Sequence, residues 1–401
     1  MSHAVSSYVE NANLASQTVH DADSHVMELP TKIVDYFEQS YLDDFAKYAN
    51  KAITVTKDLD VAVNKHDDLD FRANDEAQLL LRKNHLALGS FRKEDRPRCL
   101  DLLGFTSQLV FTTSALGNYG LDDTHPSLAG QAARAHNRMN ADFCSIDKRL
   151  LATGYVPLSD IETAPAIAQE AIKLGCKGLI IPSKCPSTHS PTHISFDSIW
   201  AMAEEAGIPI LFHVGGETKM PAAYTENGLP KVKDFHGGDE NFTGLSFMTI
   251  PLAVWQTMAA FVFDGVLSRF PNLMFGAIEL GAGWLPSWMQ FLDSGFEAFR
   301  KGEERLQKLQ ELPSEIVKRQ FRVTPYAHEP TGWITQNTSP DMLLFSSDFP
   351  HVEGGRNPLK RFEDNMPDLT DADKRKFYRD NFISLMGNGL DQSLHDHPSA
   401  V

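Results

Sequence analysis

Cysteine is scarce in this chain, with four among 401 residues (Cys99, Cys144, Cys176 and Cys185) and no CxxC spacing. Too few for a disulfide framework at this length, they read as reduced thiols and point to a cytoplasmic protein. Positive charge is short as well: 37 Lys and Arg stand against 53 Asp and Glu, a formal net charge of -16. No local basic patch offsets it, so phosphate backbones and anionic membrane surfaces are repelled, and neither nucleic acid nor membrane is an expected partner. Long apolar runs are missing too. No stretch of 18 apolar residues stands out as a span, and the opening MSHAVSSYVENANLASQTVH lacks a basic region ahead of an apolar one, so no secretory signal is expected.

What is present is alternation. Short apolar or β-branched runs occur at TVHDAD (18–23), QLVFTT (108–113), LATGYVP (151–157), GLIIP (178–182), PILFH (209–213), LMFGAIE (273–279), QFRVTP (320–325) and MLLFSS (342–347). Helix-period stretches separate most of them, among them IETAPAIAQEAIKLG and FDSIWAMAEEAG with Gly175 and Gly207 as stops. Eight strand–helix units in this length favour a closed (β/α)8 barrel of the TIM type, with an open doubly wound sheet as the alternative. Residues 1–17 read as an N-terminal arm, 18–389 as the barrel domain and 390–401 as a polar C-terminal tail. Two intervals, 24–107 (with DEAQLLLRKN and RPRCLDLLG as helical stretches) and 214–248, exceed ordinary connections and are expected as insertions over the C-terminal face.

Barrel enzymes work where their strands end, which makes the last residues of each strand the informative ones. Strand one ends in Asp23-Ser24-His25, strand five in His213, strand six in Glu279, and strand eight runs into Asp348-Phe349-Pro350-His351. Residues i and i+2 of an extended strand share a face, so Asp23 and His25 can reach one ion together. Two imidazoles with two carboxylates suit Zn²⁺, Mn²⁺ or Fe²⁺, zinc first. Glu28 falls out of register and reads as a partner behind the site or as loop. His351 and Glu353 lie near the mouth, while His236 sits in the second insertion. Trp284 and Trp288, four residues apart, read as core packing.

These segments are where the chain resembles a known family. DADSHVME, FHVGG, IELGAGW and SSDFPHVEGG, in this order, are similar to the strand-end motifs of the amidohydrolase-2 branch of the amidohydrolase superfamily, which includes aminocarboxymuconate-semialdehyde and γ-resorcylate-type decarboxylases. The resemblance spans roughly residues 18–385. It implies a (β/α)8 barrel and a divalent metal held by Asp23, His25, His213 and Asp348. At strand six many relatives carry a histidine, and this chain has Glu279.

That substitution shapes the expected chemistry. Asp23, Asp348 and Glu279 put up to three negative charges around one ion, which disfavours a substrate bringing its own carboxylate, and a glutamate facing a metal is a natural base for water. The expectation is therefore a metal-dependent hydrolase of a small organic substrate, with Glu279, His351 and Asp348 as catalytic residues. The alternative is non-oxidative decarboxylation of an aromatic or unsaturated acid. Only Arg322 and Lys184 offer themselves as carboxylate clamps, and either would favour that alternative. A barrel that kept the fold and lost the chemistry is a third reading, disfavoured by the intact ligand set. A homodimer is compatible with the N-terminal arm.

Overall fold

Seven of the apolar runs become strands in the computed structural model, which describes residues 17–44, 46, 57–113, 119–215, 220–230 and 243–396. They are β1 (His20–Val26), β2 (Ser107–Thr112), β3 (Leu150–Tyr155), β4 (Gly178–Ile180), β5 (Ile210–His213), β6 (Phe275–Ile278) and β7 (Phe321–Val323). All pair in parallel in the order β1 to β7, and every strand residue is buried. Burial on both faces is why these strands read as apolar runs instead of alternating ones.

The eighth run is not a regular strand, yet its backbone joins the two edges of the sheet. On one side Val323 N donates to Met342 O (2.9 Å) and Leu344 N to Val323 O (3.0 Å); on the other Ala22 N donates to Phe345 O (3.0 Å) and His25 N to Phe349 O (2.7 Å). Single bridges Val323–Leu343 and Ser24–Phe349 complete the seam. Sequential strand order and this closure give the barrel and rule out the open doubly wound sheet, whose strand order would reverse.

Helices coat the outside. Pro126–Cys144 lies on β3, where Asn140 Nδ2 donates to Val110 O (2.9 Å) and Thr153 O (3.0 Å). Ala164–Lys173 and Asp197–Ala206 are followed by Gly175 (φ +93°) and Gly207 (φ +66°), the left-handed positions expected of such stops. The run 244–263 is apolar and long enough to cross a membrane by composition, but 44% of it is buried within the molecule, its inner face formed by Val254, Met258, Phe261 and Val262.

The insertions differ in detail from expectation. RPRCLDLLG is the helix Arg96–Leu103, capped by Gly104 at φ +72°. DEAQLLLRKN is instead a chain of turns, because Leu80 (φ +62°) and Asn84 (φ +50°) leave the helical region. Asn84 N donates to Pro350 O (2.9 Å), which seats this part of the first insertion against the loop beyond the eighth segment. At the end of the second, Phe247 packs on Tyr326 and His328 past β7 (ring centroids 5.5 and 5.8 Å). The expected tail is packed further than its polarity suggests: Leu390 and Leu394 are buried.

Candidate metal centre

The strand ends bring their polar side chains to one point. Asp23 Oδ1 lies 3.3 Å from His25 Nε2 and 3.4 Å from His213 Nε2, and His213 Nε2 lies 3.6 Å from Glu279 Oε2. The donor atoms of Asp23, His25, His213 and Glu279 are all within 4.8 Å of one another, as are those of His25, Asp348 and His351, so two groups overlap at His25. His25 Nε2 is 3.7 Å from Asp348 Oδ1. Local backbone aims these groups. The β1–β2 register slips between Asp21 and Ser24, a bulge beside the first ligand pair. Glu279 (φ +54°) and Asp348 (φ +52°) both sit in left-handed conformations, which cost a non-glycine residue about 1–3 kcal/mol and concentrate at functional sites.

The residues fit a divalent cation. His213 Nδ1 donates to Val214 O (2.9 Å), which aims Nε2 at the carboxylates, the nitrogen that would turn to a cation once its proton is displaced. Asp23 Oδ2, His25 Nε2 and both oxygens of Asp348 are buried without a hydrogen-bond partner among the described residues. Carboxylates so crowded and bare call for a positive charge between them. Their electrostatics say the same. Burial pushes Asp348 well above the ordinary carboxylate range, reinforced by Glu279 and Asp23 and opposed by Lys83. For Asp23 burial acts upward, but the His213 and His25 imidazoles outweigh it and hold the carboxyl below its usual value. Burial would lower His213, yet Asp23 and then Glu279 raise it to about 9. Burial lowers His25 and, more strongly, His351, so both are neutral.

A polar layer beneath holds this arrangement. Asp21, fully buried, accepts from Ser347 N (2.8 Å), Ser347 Oγ (2.6 Å) and Gln108 Nε2 (2.8 Å), tying the eighth segment to β1 and β2. Arg96, also fully buried, donates to Gln108 Oε1 (3.0 Å), His25 O (3.1 Å) and Gly89 O (3.3 Å). On the far side Thr324 Oγ1 accepts from Glu279 N (2.8 Å), and Tyr326 Oη donates to Glu279 O (2.8 Å). Gly354 must be glycine, since a Cβ there would meet Ser347 O at 2.1 Å.

Asp23, His25, His213, Glu279, Asp348 and His351 therefore share one site, and the other candidates do not. Arg322 points away, to Lys318 O, Arg319 O and Phe321 O at the preceding helix end and to Ser384 Oγ, so it is no clamp for a substrate at the strand ends. Lys184 is exposed on the loop after β4, and His236 lies outside the described residues. Glu28 is buried and accepts from Thr113 N (3.1 Å), one residue removed from the histidines. Trp288 is buried against Trp284, whose Nε1 caps Leu280 O and Gly281 O. Sequence reading missed Lys83, half-buried on the first insertion, whose Nζ donates to Gly355 O (2.5 Å) and whose charge acts on Asp348 and Glu353. It also missed Asp21, although Asp21, Asp23 and His25 alternate along one strand and gave a signal.

A family model described as amidohydrolase matches residues 85–383. Among solved structures, the chain is similar to an amidohydrolase from Mycobacterium avium subsp. paratuberculosis (19% identity, TM-score 0.68), with 92% of this chain and 99% of that one covered. It is also similar to 5-carboxyvanillate decarboxylase from Novosphingobium aromaticivorans, complexed with manganese and 4-hydroxy-3-methoxy-5-nitrobenzoic acid (17%, TM-score 0.61, 93% and 96% covered). A third is dihydroxybenzoic acid decarboxylase from Polaromonas sp. JS666, with bound manganese and 2-nitroresorcinol (16%, TM-score 0.59, 92% and 97% covered). No match was found among curated proteins.

Proposed function

The chain belongs to the amidohydrolase family, and from that premise we propose that it is a metal-dependent decarboxylase of an aromatic or unsaturated carboxylic acid. The observation that carries this reading is how the site divides its carboxylates. Glu279 keeps company with Asp23, His25 and His213 as a fourth donor, which takes it from the role of a free base for water. Asp348 stands with His25 and His351, both its oxygens bare. Asp23, His25, His213 and Glu279 would hold the ion. Two imidazoles with two carboxylates accept Mn²⁺ as well as Zn²⁺, and manganese, the metal of the two decarboxylase structures, is the ion proposed here. When bound, the ion draws electron density from a substrate carboxylate and a neighbouring oxygen.

The protein's own part is proton delivery. When the carbon–carboxyl bond breaks, carbon dioxide leaves and the bonding pair stays on carbon. Asp348, whose carboxyl is pushed upward in the metal-free protein by burial and by the neighbouring carboxylates, is the acid proposed to give its proton to that carbon and to be reprotonated from solvent. Lys83 supports an anionic substrate, since it places positive charge beside Asp348 where sequence reading found none. Hydrolysis is the second reading, favoured by the nearness of Glu279 to His213, and it requires the Glu279 carboxylate to stay off the ion. Incubating the manganese-loaded protein with a panel of hydroxylated benzoates and matched esters and amides tests the choice. Carbon dioxide release from a benzoate is expected, and ester or amide cleavage without it would overturn the proposal.

A further inference from the structure

Thr113, the first residue after β2, has no place in the chemistry above, yet its hydroxyl sits between two of the site histidines. Thr113 Oγ1 lies 3.0 Å from Val26 O and 3.6 Å from Met27 Sδ, and the carbonyl, the nearer and stronger acceptor, takes its one proton. The hydroxyl oxygen lies 3.2 Å from His351 Nε2 and 3.4 Å from His25 Nδ1. A hydroxyl whose proton is already given can only accept from the two rings. Both must then present N–H groups to it: His25 from Nδ1, His351 from Nε2. That leaves His25 Nε2 as a lone pair among Asp23 and Asp348, the nitrogen a metal needs, and His351 Nδ1 as the unprotonated nitrogen of its ring. The rings are kept close and nearly perpendicular (centroids 4.3 Å, 84°), as two imidazoles reaching for one acceptor would be. The backbone of Thr113 is fixed in turn, because its N–H donates to Glu28 Oε2. Glu28 is itself buried beside His136 (3.4 Å). This gives Glu28, the glutamate of DADSHVME, a task one residue behind the site.

We propose that Thr113 is a positioning residue that sets the tautomers of His25 and His351 together, and that Glu28 holds it in place. The inference rests on the metal reading of the site. Partners of this kind behind a metal ligand are typically worth about 10–100-fold in metal affinity. The test uses the full-length protein stripped of metal and titrated with Mn²⁺, comparing wild type with Thr113→Val, which keeps the shape and removes the acceptor, and Thr113→Ser, which keeps the hydroxyl. Thr113→Val should bind about 10–100-fold more weakly, and Thr113→Ser should stay within about threefold of wild type. Imidazole ¹⁵N shifts of the metal-free protein give a second readout independent of metal: in the Val variant His25 and His351 should lose their single tautomers, and in the Ser variant keep them. Should Thr113→Val fail to fold, Thr113→Ala removes the same hydroxyl with less bulk and carries the same expectation. Val or Ala variants with wild-type affinity and unchanged ¹⁵N shifts, or a Ser variant as impaired as Val, would overturn the proposal. Wild-type protein that binds no Mn²⁺ would instead refute the metal reading beneath it.

Discussion

Replacing Asp348 by Asn should stabilise the protein once its metal is removed. In the metal-free fold both Asp348 oxygens are buried without a donor among the described residues, and Glu279 and Asp23 repel the charged form. The sign follows from the raised carboxyl. Below the unfolded value near 3.8 both states hold the proton and the group contributes nothing; as pH rises the unfolded chain ionises first, so Asp348 destabilises the fold increasingly until its own raised value is passed. Each unit of upward displacement is worth about 1.4 kcal/mol. Asn removes the charge but must still satisfy its amide, so a net gain of about 1–3 kcal/mol at pH 8, the usual cost of an unsatisfied buried group, is expected. Unfolding entropy of roughly 2 cal/mol/K per residue turns that into ~1–4 °C in Tm for a chain of this length. Scanning calorimetry of the chelator-treated proteins from pH 8 to pH 4 should show the gap narrowing as pH falls. A metal-free Asn variant less stable than metal-free wild type by about 1 kcal/mol or more at pH 8 would mean that Asp348 has a protein partner in that fold and is not held there as a bare buried acid.

Other perturbations probe neighbouring parts of the site. With His213 raised to about 9 by Asp23 and Glu279, its pairing stabilises the metal-free protein fully below about 6.5 and is lost as pH climbs through 9. Metal binding must displace that proton, so calorimetry at pH 7.5 in buffers of different ionisation enthalpy should register about one proton released, and apparent affinity should rise about tenfold per pH unit and level off above 9; pH-independent binding would contradict the pairing. Arg96→Met strands Gln108 Oε1, His25 O and Gly89 O in the interior and should cost about 3–5 kcal/mol, or roughly 4–6 °C in Tm; a loss below about 1 kcal/mol would show that the network is dispensable. Glu279→Gln should weaken Mn²⁺ binding at least about tenfold, whereas full metal content with turnover down ~10²–10⁴-fold would identify a base for water and return the site to hydrolysis.

The architecture was legible because parallel strands covered on both faces leave apolar runs, and because Gly175 and Gly207 mark helix ends by a backbone conformation that other residues avoid. MLLFSS was harder to read: its backbone serves two edges through scattered bonds, so it closes the barrel without becoming a strand. The site followed from strand ends, where position along one element dictates where a side chain goes, as for Asp23 and His25. What sequence could not show depends on contacts between distant loops. Lys83 acts on Asp348 because turns of the first insertion meet the loop that begins at Pro350, and Thr113 meets His351 across 238 positions. Arg322 failed as a clamp for a related reason: strand seven carries it, but the nearby helix end offers three carbonyls that take its guanidinium away from the mouth.

The most direct test of the account is isotopic. With Mn²⁺ and a substrate found in the benzoate panel, turnover in D₂O should place one deuterium on the carbon that lost its carboxyl group, with one carbon dioxide per product. Asp348→Asn should retain metal and substrate binding while that step slows by about 10²–10⁴-fold, the range for losing a proton carrier. Product that carries ¹⁸O from labelled water and no new carbon–deuterium bond, formed as fast by Asp348→Asn as by wild type, would contradict both the decarboxylase reading and the proton assigned to Asp348.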